Sequence, residues 1–109
     1  MLVELYQIKD IENVPYVFRN WLDSTEHEFN FADYEKVYEY NYPEKADEEV
    51  DINEVLEKAY GKFNWYKPND FTGHLLSVSD IIKVNNRYYY CSSVDWVDTT
   101  DKVEGKICQ

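Results

Sequence analysis

The net charge of this chain sits in one third of it, and that limits what the chain can bury. Residues 23–57 hold thirteen carboxylates and two lysines, a balance of −11. The other residues carry nine acids and nine bases and sum to zero. Like charges held close together destabilise a compact state, so folding alone gives no reason for such segregation. A positively charged partner does. Six aromatic residues punctuate the same segment: Phe29, Phe31, Tyr34, Tyr38, Tyr40 and Tyr42. Carboxylates mixed with flat amphipathic rings make a surface that a nucleic-acid-binding groove can mistake for nucleic acid. Duplex DNA carries one charge per about 1.7 Å of axis, so eleven charges correspond to roughly 19 Å of duplex. The competing explanation is a solvated acidic face, with Asp51 and Glu54 favouring a helix N-terminus.

The same charge argues against direct binding to DNA, RNA or an anionic membrane, whose phosphates would repel it. A hydrophobic content of 44% with 17% aromatics supplies enough apolar mass for a core. At 109 residues the chain reads as one domain spanning 1–109. Its start, Met1 to Tyr6, has no basic n-region, and no stretch approaches the roughly 20 apolar residues of a membrane span. Cys91 and Cys108 show neither metal nor redox spacing. A reduced, cytoplasmic protein is expected, with a Cys91–Cys108 pairing left open.

Periodicity predicts the elements. Residues 2–8 alternate and are β-prone, which reads as a strand. Asn13 is a candidate N-cap with Pro15 in the first turn, and Val14, Val17, Phe18, Trp21 and Leu22 form a helical stripe. Tyr34 to Tyr42 reads as a strand with Tyr34, Lys36, Tyr38, Tyr40 and Tyr42 on one face, and Glu35, Val37, Glu39 and Asn41 on the other. Pro43 to Val50 is an acidic loop. Asp51-Ile52-Asn53-Glu54 resembles a capping box ahead of the stripe Ile52, Val55, Leu56 and Ala59, with Gly61 as the stop. Residues 62–74 are loop-like. Residues 81–84 and 87–91 are strands joined by Asn85-Asn86, a pair that tolerates positive φ. Residues 94–97 add a further strand, and the polar tail after Asp98 is expected to be mobile. The sum is a small α+β domain, mostly antiparallel sheet with about two helices.

Catalytic and metal signals are weak. His74 lies near Ser77, Ser79 and Asp80, but there is no nucleophile-elbow pattern, and triads are not built from adjacent residues. His74 is expected to stabilise a turn, and no enzymatic activity is expected. Neither His27 nor His74 has the partners of a zinc site. The acids of residues 47–51 lack EF-hand spacing. No cofactor is implied. Tyr88 and Tyr90 are expected in the core, and Tyr40 and Tyr42, flanked by acids, in partner contact.

Several segments carry a family resemblance: residues 6–10, residues 33–39, the long run from Asn69 to Ile82, and Tyr89 to Ser93 with Trp96. In these the chain resembles the YodL-like domain found in proteins of mobile genetic elements of Gram-positive bacteria. It departs from that pattern in the extra acidity of residues 44–54. The resemblance implies no activity and no catalytic residues. It implies a setting in which small acidic proteins, anti-CRISPR and antirestriction proteins among them, occupy the basic groove of a nuclease. The expected function is therefore inhibition of Cas9 or its guide-RNA complex through an acidic surface. The expected partner-binding residues are Glu35, Glu39, Tyr40, Tyr42, Glu44, Asp47, Glu48, Glu49, Asp51 and Glu54. Antirestriction, or a regulatory module binding a cytoskeletal or relaxase partner, are the alternatives.

Overall fold

The computed structural model describes residues 2–21, 28–42, 51–65, 68–71, 73–93 and 95–104. Five strands form one antiparallel sheet: β1 (Leu2–Ile8), β2 (Tyr34–Asn41), β3 (Ile81–Val84), β4 (Arg87–Cys91) and β5 (Trp96–Asp98). Their order is β2-β1-β3-β4-β5. Helix α1 (Ile52–Asn64) and the short α2 (Thr100–Glu104) complete the regular structure, with a 3-10 turn at Phe31–Asp33.

The two inner strands explain why both sheet faces are covered. Successive side chains of a strand point to opposite faces. In β1, Val3 and Leu5 face one way and pack with Ile82, Val84 and Cys91 against Val55, Leu56, Ala59 and Phe63 of α1. Ile8, Ile81 and Tyr90 face the other way and pack with Tyr16 and Tyr34. The first core is thus closed by a helix. The second is closed by turns and rings from residues 14–21 and 29–34. Asn85 and Asn86 both adopt left-handed φ, 51° and 64°, as a two-residue hairpin of this hand requires.

The stripe at residues 14–22 does not form a helix over its described part. Residues 14–18 make turns, with Val17 N–H on Val14 O (3.3 Å) and Arg19 N–H on Tyr16 O (3.0 Å). Phe18 has φ of 62°. The reason is Tyr16, which the helical stripe leaves outside the core. It is fully buried, and its hydroxyl donates to Asp33 Oδ2 (2.8 Å) and accepts from Asn30 N–H (3.2 Å). Phe18, assigned to the core by the stripe, is instead 50% exposed. Burial of one aromatic ring with a satisfied hydroxyl outweighs a regular helical turn here.

The faces of β2 are also not as the alternation predicts. Leu5 pairs with Tyr38 but Tyr6 pairs with Lys36, so Val37 is an extra residue in a β-bulge. A one-residue insertion moves everything beyond it to the opposite face. Tyr34 therefore joins the second core, while Tyr38, Tyr40 and Tyr42 pack against the first.

Helix α1 begins as the sequence suggests but by half of a capping box. Asp51 accepts from Asn53 N–H (2.9 Å), while Glu54 turns forward to Lys58 (3.3 Å). Gly61 does not end the helix, which runs to Asn64 and buries Phe63 completely. A helical glycine costs about 1 kcal/mol, less than the roughly 1.5–3 kcal/mol gained by burying a Phe side chain.

The tail after Asp98 is tied down as far as Glu104. Asp98 Oδ1 accepts from Thr100 N–H (3.0 Å) and Oγ1 (2.6 Å), and Asp98 Oδ2 takes the Arg87 guanidinium at 2.7 Å. Bonds from Thr100 and Arg87 hold the Asp98 carboxyl below its ordinary value against the opposing effect of partial burial. Thr99 N–H donates to Tyr88 O (2.8 Å), and Tyr88 N–H to Thr100 Oγ1 (2.9 Å). The segment thus continues the edge of the sheet.

Candidate functional site

Four of the expected partner-binding residues, Glu44, Asp47, Glu48 and Glu49, lie outside the described residues, as do the acidic loop at 43–50 and Cys108. The other six are placed. Glu35 is exposed and pairs across the strand with Gln7, whereas Glu39 pairs with Glu4. Because Glu4 and Gln7 point to opposite faces of β1, Glu35 and Glu39 do so as well. They do not form one surface. Glu39 is moreover held by Lys36 Nζ at 2.5 Å, which also reaches Glu4 at 3.6 Å. Asp51 is occupied as the α1 cap, and Glu54 is paired with Lys58.

Tyr40 and Tyr42 are brought together with one flank of α1. They line an open groove of about 420 Å³ with Lys58, Gly61 and Lys62. Lys62 Nζ lies 4.8 Å from the centre of the Tyr40 ring, and Lys58 Nζ 5.8 Å from that of Tyr42. The rings are thus capped by the protein's own cations, an arrangement with favourable cation–π energy. Burial pushes the Tyr40 hydroxyl up to about 12. Tyr40 also packs edge-on against Phe63, with centroids 5.9 Å apart. Its first role is in the fold.

The opposite flank of α1 differs. Residues 57 and 60 are one helical turn apart, and the core positions 55, 56, 59 and 63 separate them from 58 and 62. Glu57 and Tyr60 line a cavity of about 200 Å³ together with Cys91, Ser92, Asp95 and Trp96. Cys91 is a buried thiol, pushed up to about 12 by burial and, secondarily, by Asp80 and Glu57. Sequence reasoning missed this group. Its only signal is that Glu57 and Tyr60 share a helix flank and that an acid precedes the last tryptophan.

The long segment from Asn69 to Ile82 forms a polar anchor. Gln7, 2% exposed, donates from Nε2 to His74 O (2.8 Å) and to Asp80 Oδ2 (3.0 Å). The same carboxylate oxygen accepts from Ser77 N–H (2.9 Å). A Cβ on Gly73 would lie 2.4 Å from Gln7 Oε1 and 2.9 Å from the Phe71 ring, so a larger residue there displaces the Gln7 amide or the Phe71 ring. Asp80 also pairs through its backbone with Cys91 of β4, whose N–H donates to Asp80 O (2.8 Å). Burial pushes the Asp80 carboxyl up to about 8, against the bonds from Ser77 and Gln7. His74 Nε2 stands 3.8 Å from Asp80 Oδ1.

This cluster does not assemble a nucleophile with a base. Ser77 Oγ donates to Leu75 O (2.8 Å), and Ser79 Oγ accepts from Phe18 N–H (2.9 Å). Neither hydroxyl bonds His74. The His74 ring lies in irregular chain ahead of the turn at residues 78–79, with Nδ1 2.7 Å from Leu75 O. Among the described residues, no group of three His, Cys, Asp or Glu side chains could hold a metal ion. No helix among them is long and apolar enough to cross a membrane.

The family model for the YodL-like domain matches residues 2–101, which takes in all five strands and α1. No curated protein and no solved structure matches the chain.

Proposed function

The chain belongs to the YodL-like domain family, and on that premise we propose that it is a non-enzymatic inhibitor of a basic, nucleic-acid-handling protein. Cas9 or its guide-RNA complex is the proposed target. One observation carries the reading: the whole net charge of −11 is confined to residues 23–57. Cas9 reads its PAM with arginines and holds the heteroduplex in a positive channel, where a carboxylate surface competes with DNA. Within the acidic third, Glu39 and Glu54 are partly neutralised by lysines, so Glu35 and the acids at 44, 47, 48 and 49 carry most of the contact. Such binding weakens steeply with salt, because it relies on screened charges.

A DNA-cleavage assay with Cas9 and guide RNA tests this directly. The inhibitor suppresses cleavage when added before target DNA and loses effect when added after it. The variant Glu48→Lys with Glu49→Lys folds normally and no longer inhibits. Undiminished inhibition by that variant contradicts acidic mimicry. Inhibition of a restriction enzyme but not of any Cas9 would replace the target and keep the mechanism.

A further inference from the structure

The cavity between α1 and the β4–β5 end of the sheet has no role in the reading above. At about 200 Å³ it is smaller than the roughly 300 Å³ at which drug-sized sites begin, and it suits one long side chain. Its walls combine two features that select a cation. Glu57 and Asp95 bring two exposed carboxylates, and among the described residues no lysine or arginine lines the space. Tyr60, 43% exposed, and the half-buried Trp96 bring aromatic rings, whose faces favour cations, most of all that of Trp.

Neither carboxylate is neutralised by a described base. Glu4, Glu28, Glu39, Glu54 and Asp98 each have a lysine or arginine within 4.0 Å. Among the described residues, neither Glu57 nor Asp95 has one. These two unneutralised acids meet at one cavity with aromatic residues in its lining, while across α1 the rings are capped by Lys58 and Lys62.

We propose that this cavity is a socket for a single arginine side chain of a protein partner. A guanidinium is flat enough to stack on a ring, and its forked N–H groups reach carboxylates on two sides, which an ammonium does less well. The source of the arginine rests on the basic-partner reading above. The socket itself rests on the shape and chemistry of its walls.

The test is an NMR titration of the full chain with the tripeptide acetyl-Gly-Arg-Gly-amide, following the Trp96 indole N–H. A citrulline tripeptide, which keeps the shape and removes the charge, serves as control. The arginine peptide shifts the Trp96 signal to saturation and the citrulline peptide does not. The variant Glu57→Gln with Asp95→Asn keeps the folded spectrum, since both side chains are exposed. It binds at least about fivefold more weakly, the scale of two exposed ion pairs. Equal shifts from the two peptides, or equal affinity in the double variant, would overturn the socket. Cas9 is absent from this titration, so a failed cleavage assay leaves the socket standing, and an empty socket leaves the cleavage reading standing.

Discussion

The two flanks of α1 are built from the same kinds of residue and have opposite character. On the β2 side, Tyr40 and Tyr42 lie under Lys58 and Lys62, and Lys58 is itself held by Glu54. Charge, counter-charge and ring are satisfied within the molecule. On the β5 side, Tyr60 and Trp96 stand beside Glu57 and Asp95 with no described base against them. The lesson concerns how an acidic aromatic surface is read. Rings flanked by acids in sequence need not be free for contact, because a helix can supply the cations from its own flank. Rings and acids far apart in sequence can meet around one cavity.

Phe63 is the floor of the β2 flank and lies in the same core as Cys91 and Trp96. Its replacement by Ala gives the largest effect, a loss of about 3–5 kcal/mol for a fully buried ring, read by chemical denaturation. Both flanks are disrupted together. If the Trp96 environment survives unchanged, the flanks are more independent than this packing implies.

The next effect separates the flanks. Tyr40→Ala removes a half-buried ring packed on Phe63 and costs about 2 kcal/mol, below the full cost of a buried aromatic. Tyr60→Ala stays within about 0.5 kcal/mol, as an exposed substitution does. Equal costs would erase the distinction between a folding ring and a contact ring.

A pH series sharpens the β5 side, where Cys91 lines the cavity and its N–H bonds Asp80 O. The Asp80 carboxyl is raised by burial from 3.8 to about 8, so the folded state holds a proton that the unfolded state releases. The contribution of this group is therefore fully present below about pH 4 and is lost as pH rises towards 8. The slope is at most about 1.4 kcal/mol per pH unit. Asp80→Asn keeps an acceptor for Ser77 and Gln7 and flattens the thermal-stability profile between pH 5 and 8. An unchanged slope would place the pH dependence elsewhere. The smallest effect belongs to Lys62→Ala, which removes one cation–π contact at a half-buried lysine, worth about 1 kcal/mol, and is read in the same denaturation experiment.

Much of the frame was legible in sequence because its signals are local. The alternation of residues 2–8, the Asn85-Asn86 turn and the Asp51 cap each act within a few residues. The misreadings are tertiary. Tyr16 gives up a helical stripe for bonds to Asn30 and Asp33, fourteen and seventeen residues away. The bulge at Val37 exists only in register with β1, and it turns Tyr34 away from Tyr38. The short α2 depends on Asp98, Thr99 and Thr100 meeting β4. For the site, sequence could name Tyr40 and Tyr42 but not the lysines above them. That requires knowing which flank of α1 meets β2, and the Glu57–Asp95 cavity was hidden for the same reason.

The most direct test of the account places the two flanks in one Cas9 cleavage assay with the inhibitor added before DNA. Wild-type protein inhibits, and so does Lys58→Glu with Lys62→Glu, whose cations serve the fold. Glu57→Lys with Asp95→Lys loses inhibition at least tenfold while remaining folded. No inhibition by the wild type would contradict the Cas9 reading, and full inhibition by the Glu57 and Asp95 reversal would contradict the part given to the β5 flank in it.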